Sequence, residues 1–195
     1  MWLFQLFKNI KTQFDSTREM IGLYQESPYY IEEINTRIQQ VTIRPRGSRV
    51  VIKASFESVV GDPKILAGLS SVQACWIGGY YGRALRDAKH NGIALRTTQN
   101  MSFLLKNTRG RYKIVFQNRN ADIGYIDQKT QKEFVESPLT IVQDKLIISR
   151  FDPCQACYLG LLAGISLEKA LHAEKMGKST VRALFSKKPQ LRVIG

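Results

Sequence analysis

Cys154-Gln-Ala-Cys157 is the sharpest local arrangement in this chain that could do chemistry. Asp152 is placed to cap a helix, Pro153 takes its first position, and Cys154 falls in the first turn. Free N–H groups and the helix dipole favour a thiolate there, so the Cys154 pKa is expected to be lowered. At i and i+3 the two sulfurs share a face, which suits a disulfide or half of a metal site. Buried structural thiols are the plain alternative. A thioredoxin-type fold is not expected, because only 38 residues follow Cys157 and most of its sheet would have to lie among them. Zinc would need two further ligands, and the remaining Cys and His are Cys75, His90 and His172. His90 falls at a helix C-terminus and His172 on the last helix beside Glu168 and Lys169. Either imidazole could ligate a metal or a tetrapyrrole magnesium. No Walker loop, G-x-S-x-G elbow, H-E-x-x-H pair or dinucleotide fingerprint is present, so catalysis is the weaker reading.

Glycine spacing is the second signal. Gly78 and Gly82, then Gly160 and Gly164, each stand four apart inside a helical pattern. A helix-interior glycine costs about 1 kcal/mol relative to alanine. Two such pairs therefore imply either close backbone approach or room for a flat or elongated ligand. Charge is the third. Lys plus Arg number 29 against 16 acids, a net charge of +13, which favours an anionic partner such as nucleic acid or anionic lipid. Between Arg83 and Lys113 eight Lys/Arg meet the single acid Asp87, with Tyr80, Tyr81, Phe103 and Tyr112 in or beside the stretch. Stacking on bases is conceivable there, but no RNA-binding signature accompanies it.

These residues need elements to position them. Trp2, Leu3, Leu6, Phe7, Ile10 and Phe14 recur at helical spacing, with Phe4 at the edge of the stripe. An amphipathic helix over the first 24 residues is expected, lying on a membrane surface or docked on protein. A short helix is expected from Tyr29 to Ile38. A hairpin follows, from Val41 to Phe56, whose tip carries Arg44, Arg46 and Arg49 as a cationic finger. Asp62-Pro63 opens a long helix through Cys75, Gly78 and Leu85 to Asn91-Gly92. Thr97–Lys106 reads as a further short helix. Strands are expected at Arg111–Asn118, Ile123–Asp127, Leu139–Val142 and Lys145–Phe151. The last helix runs from Asp152-Pro153 to Met176-Gly177, and a hairpin over 180–194 closes the chain.

No internal repeat or low-complexity segment stands out, and the class is α+β. The chain is divided into residues 1–60, the amphipathic helix and basic hairpin, and 61–195, a ligand-binding domain. At 195 residues it is long enough for a real core without disulfides. No stretch of 18 apolar residues occurs; the longest candidate, Cys157–Leu167, is 11. The start lacks the basic n-region of a secretory signal, so a reducing, cytosol-facing setting is expected, peripheral on a membrane.

The order of these features resembles the 4-vinyl-reductase-like domain family, whose fold is shared with small subunits of the TRAPP vesicle-tethering complex. The resemblance rests on the glycine-bearing helix Gly78–Leu85, the strand Tyr112–Asn118, a cysteine just before Gly160-x-x-x-Gly164, and a closing hairpin. It covers residues 61–195. Two departures stand out: 181–194 lacks the family's usual pair of cysteines, and Cys154 and Cys157 bracket the expected cysteine rather than matching it. The resemblance implies an antiparallel sheet packed with helices and a hydrophobic small-molecule ligand, with a chlorophyll-type tetrapyrrole as the cofactor to consider. It further implies an accessory role in photosystem II assembly at a thylakoid surface, with membrane-protein assembly intermediates as partners. The expected ligand residues are Cys75, Gly78, Gly82, Cys154, Cys157, Gly160 and Gly164. Trp2, Leu3, Phe4, Leu6, Phe7, Ile10 and Phe14 would contact an anionic membrane. An RNA- or ribosome-associated protein and a thiol-redox or metal protein centred on Cys154 and Cys157 are the rival readings.

Overall fold

The computed structural model describes residues 27–88, 109–119 and 121–175, and in them the chain is α+β. The expected N-terminal helix with its membrane residues, His90, the helix at 97–106 and the closing hairpin lie outside the described residues, as does the side chain of His172.

Two three-stranded antiparallel sheets are present, where the sequence reading expects one. The first is β1 (Tyr29–Asn35), β2 (Gln40–Pro45) and β3 (Ile52–Ser55); the second is β4 (Tyr112–Gln117), β5 (Ile123–Asp127) and β6 (Glu133–Glu136). Each is followed by two short helices and a long one. After the first come α1 (Phe56–Gly61), α2 (Pro63–Ala67) and α3 (Ser71–Ala88). After the second come α4 (Pro138–Gln143), α5 (Lys145–Ile148) and α6 (Pro153–Lys175).

This order, β-β-β-α-α-α twice over, is an internal duplication, and it overturns the expectation of a chain without repeats. From Ser55 to Leu85, ten of 31 positions are identical to the residue 82 positions later, with no gap. Ser55/Ser137, Asp62/Asp144, Gln73/Gln155, Cys75/Cys157, Gly78/Gly160 and Gly82/Gly164 are among them. The local chemistry repeats with the residues. Ser55 Oγ accepts from the Ser58 N–H, and Ser137 Oγ from the Thr140 N–H. Asp62 caps α2 through the Lys64 N–H, and Asp144 caps α5 through the Leu146 N–H. The first strand of each sheet is tied to the end of its second short helix, by Tyr29 N–H to Gly68 O and by Tyr112 N–H to Arg150 O. Even the positive φ of the first hairpin recurs, at Gln39 (54°) and Ala121 (65°).

Several elements differ from expectation, each for a local reason. Tyr29–Asn35 is a strand and not a helix. A β-bulge between Ile31 and Glu33 shifts the register, so the i, i+3 spacing of Ile31 and Ile34 mimics helical periodicity. Leu139–Val142 and Lys145–Ile148 are helices rather than strands. Their β-branched residues suggest extended chain, but Ser137, Pro138 and Asp144 supply helix caps that decide the matter. The long helix expected from Pro63 breaks at Gly68. There the Gly68 N–H bonds Ile65 O, and Ser70 Oγ accepts the Gln73 N–H to start α3. A side chain at Gly68 would overlap the Tyr29 ring, so the break is also where the first sheet docks. The strand β6 has no counterpart in the expected set.

The core runs through both repeats. Val41, Ile43, Phe56 and Leu66 of the first are buried together with Ile123, Tyr125, Ile148 and Phe151 of the second. Tyr125 stands at the centre of an aromatic cluster, 5.2 Å from Tyr112, 5.0 Å from Phe134 and 5.3 Å from Phe151 between ring centroids. The basic finger is only partly a finger. Arg44 is paired with Glu32 and donates to Arg49 O, while Arg46 lies over the Tyr30 ring. No described helix is long and apolar enough to cross a membrane.

Two measurements test this description. Gly160→Ala places a methyl onto the Cys75 carbonyl oxygen, backbone that cannot yield, and should lower stability by about 3 kcal/mol in urea unfolding. Gly61→Ala, with nothing within 4 Å, should change it by no more than about 0.5 kcal/mol. The second concerns pH. Asp127 accepts from the Arg111 guanidinium at 2.6 Å and from the Lys129 N–H at 2.9 Å, and the guanidinium first of all holds its carboxyl well below the usual range. The native state therefore binds that proton less readily than the unfolded chain. The associated stability is present above the ordinary carboxylate range and is lost as pH falls through and below it. Unfolding midpoints between pH 3 and 6 should fall less steeply in Asp127→Asn than in the natural protein.

Candidate ligand cavity beside a glycine seam

The helices α3 and α6 meet along the glycines that the sequence singles out. A Cβ at Gly78 would overlap the Cys157 carbonyl oxygen, and one at Gly160 the Cys75 carbonyl oxygen. Gly82 faces Leu161 O and Gly164 faces Gly79 O in the same reciprocal way. Each contact maps onto its mate by the repeat offset, so the seam is a pseudo-twofold axis. Along it the two backbones touch, at a separation only glycine permits. The glycines therefore serve packing, and the seam itself is solid.

Room exists beside it. A cavity of about 170 Å³ lies between α3, α6 and the α4–α5 pair. Cys75, Trp76 and Tyr80 line it from α3, Leu139 and Ile148 from the short helices, and Ala163 from α6. Of the seven expected ligand residues, Cys75, Gly160 and Gly164 line this space. Gly78, Gly82, Cys154 and Cys157 do not. Trp76, Leu139 and Ala163 were missed by sequence reasoning, because an apolar lining residue carries no local mark; the repeat offset would have pointed to Ala163.

At the position equivalent to Ala163 the first repeat has Tyr81, which is buried. Where the first repeat buries a large ring, the second has a methyl. Three polar lining residues have apolar counterparts, while the lining residue Leu139 stands where the first repeat has Glu57. Arg83, Gln143 and Lys145 line the cavity, and their counterparts are Ile165, Gly61 and Pro63. Arg83 donates to Glu168 at 2.7 Å, with 45% of its side chain still exposed.

The three thiols are free. Burial pushes Cys75 up to about 12 and Cys157 well above its ordinary value. Cys154 is pushed up to about 11, by burial first and by the Asp152 carboxylate second. The lowered pKa expected at this helix start is thus reversed. Asp152 Oδ1 accepts the Cys154 and Gln155 N–H groups that would otherwise have stabilised a thiolate. No group of three or more His, Cys, Asp or Glu suited to a metal occurs among the described residues.

Alkylation checks the thiol chemistry. Cys154 should react with iodoacetamide at pH 7.5 at least about tenfold more slowly than free cysteine, whose pKa is about 8.5. Its rate should still be climbing at pH 9, and a plateau below pH 8 would contradict the burial argument. No protein-family model, curated protein or solved structure matches this chain.

Proposed function

We propose that this protein binds a hydrophobic small molecule in the cavity beside the α3–α6 seam and serves as an accessory or carrier factor at a membrane surface. One observation carries the reading: in a duplicated framework, the second repeat has alanine where the first has a buried tyrosine, and a cavity lies against that alanine. Its volume of about 170 Å³ is close to that of an engineered apolar cavity of about 150 Å³ that takes benzene. A single ring or a short chain fits such a space. A tetrapyrrole, the ligand suggested by the resemblance to the 4-vinyl-reductase-like family, would place one edge or one substituent inside it. On that resemblance the role extends to photosystem II assembly, with membrane-protein intermediates as partners.

The surface attachment rests on the apolar stripe from Trp2 to Phe14 and on the net charge of +13. The finger contributes less charge than its arginines imply, since Arg44 is already paired with Glu32.

Native mass spectrometry with an absorption spectrum, on protein purified from its own source, tests the proposal. The natural protein should retain a bound pigment or lipid, and Ala163→Tyr, which restores the ring of the first repeat, should lose it. Ala163→Leu should weaken retention with a smaller change in volume. An unliganded natural protein that also takes up no apolar probe would overturn the reading.

A further inference from the structure

Resting on the cavity reading, we infer that the ligand is an apolar molecule ending in a carboxylate, held at the cavity edge by Arg83 and Lys145. The two repeats diverge in the side chains around the cavity. The described residues lining the cavity include two charged side chains, both cationic, and no acid. Both cations are particular to this side of the seam: Arg83 stands where the second repeat has Ile165, and Lys145 where the first has Pro63. The amide of Gln143 joins them, where the first repeat has Gly61. A cavity meant only for hydrocarbon gains nothing from three such side chains; the matched positions of the other repeat carry none of them, and Glu57 stands there where the cavity has Leu139.

Position agrees with chemistry. Arg83 and Gln143 are exposed and Lys145 is half-buried, so they stand at the edge, whereas Cys75, Leu139 and Ile148 are buried and form the floor. A molecule entering tail first would leave its head among the three polar side chains. The guanidinium of Arg83 already receives a carboxylate oxygen, Glu168 Oε1 at 2.7 Å, and has further N–H donors with which to take a second acceptor. The nearby Asp144 does not line the cavity; its Oδ1 accepts the Leu146 and Ile147 N–H groups at the start of α5.

The test compares matched probes that differ only in the head group. Octanoate and 1-octanol supply a chain, and 3-phenylpropionate and 3-phenyl-1-propanol supply a ring; binding to the full-length protein is read by calorimetry and by chemical-shift changes at pH 7. The acid should bind at least tenfold more tightly than its alcohol in one or both pairs, and the tighter pair identifies the apolar body. Lys145→Met and Arg83→Gln should each reduce that preference to threefold or less while alcohol binding stays within twofold, which also shows that the variants fold. Equal binding of acid and alcohol, or tighter alcohol, overturns the carboxylate inference and leaves the cavity reading standing. Failure of all four probes to bind removes the cavity reading and this inference with it.

Discussion

Everything in this fold depends on two helices whose backbones touch. Four glycines on α3 and α6 would each overlap a carbonyl oxygen of the opposite helix if they carried a methyl group. Placing them in helix interiors costs about 1 kcal/mol apiece, some 4 kcal/mol together. That cost is offset by dispersion along a seam where no side chain intervenes, and by the Cα–H to carbonyl contacts such proximity allows. Because the contact is reciprocal, each helix supplies both the glycines and the carbonyls. The two repeats must therefore face one another across a pseudo-twofold axis, and each sheet follows its own long helix. Gln73 of α3 donates to Tyr29 O, and Gln155 of α6 accepts the Ile114 N–H. The same residue type at the same repeat position thus ties each sheet to its helix.

Symmetry of the frame gives its departures their meaning. Many matched positions differ, and four of the differences at the cavity act together: Ala163 against Tyr81, Arg83 against Ile165, Lys145 against Pro63, Gln143 against Gly61. The first of these exchanges makes space and the other three bring polar groups to its edge. Plain close packing explains the glycines fully, but it does not explain why space and polarity were introduced on the same flank.

How far the sequence was legible follows from which signals are local. Caps and helix starts are local, so Asp62-Pro63 and Asp152-Pro153 are readable, and the glycine pairs announce close approach without showing what approaches. Register is not local. The bulge at Ile31 and Glu33 turns a strand into something with helical spacing, and only pairing with β2 reveals it. Composition misleads where caps compete with it, as at 138–148, whose Ile and Val suggest strands until Ser137 and Asp144 are seen to bond the helix N–H groups. The repeat was hidden for another reason. Ten identities in 31 are spread over caps, glycines and core, and the two sheets share few residues because a meander tolerates any sequence with suitable alternation. The cavity could be read only through the repeat, since an alanine among apolar residues says nothing until its partner is a tyrosine.

The Cys-x-x-Cys motif shows how much a cap can change chemistry. A cysteine in the first turn of a helix is activated when the turn's N–H groups are free to stabilise its thiolate. In α6 those donors belong to Asp152, whose own carboxyl is pushed upward by burial and whose charge opposes a second anion alongside. The cap that starts the helix therefore quiets the thiol within it. Cys157 and Cys75, matched by the repeat, are buried at the seam with their carbonyls pressed against the opposing glycines. Cysteine suits that place as a small apolar residue rather than as a nucleophile. Residues that look reactive by spacing are thus part of the frame.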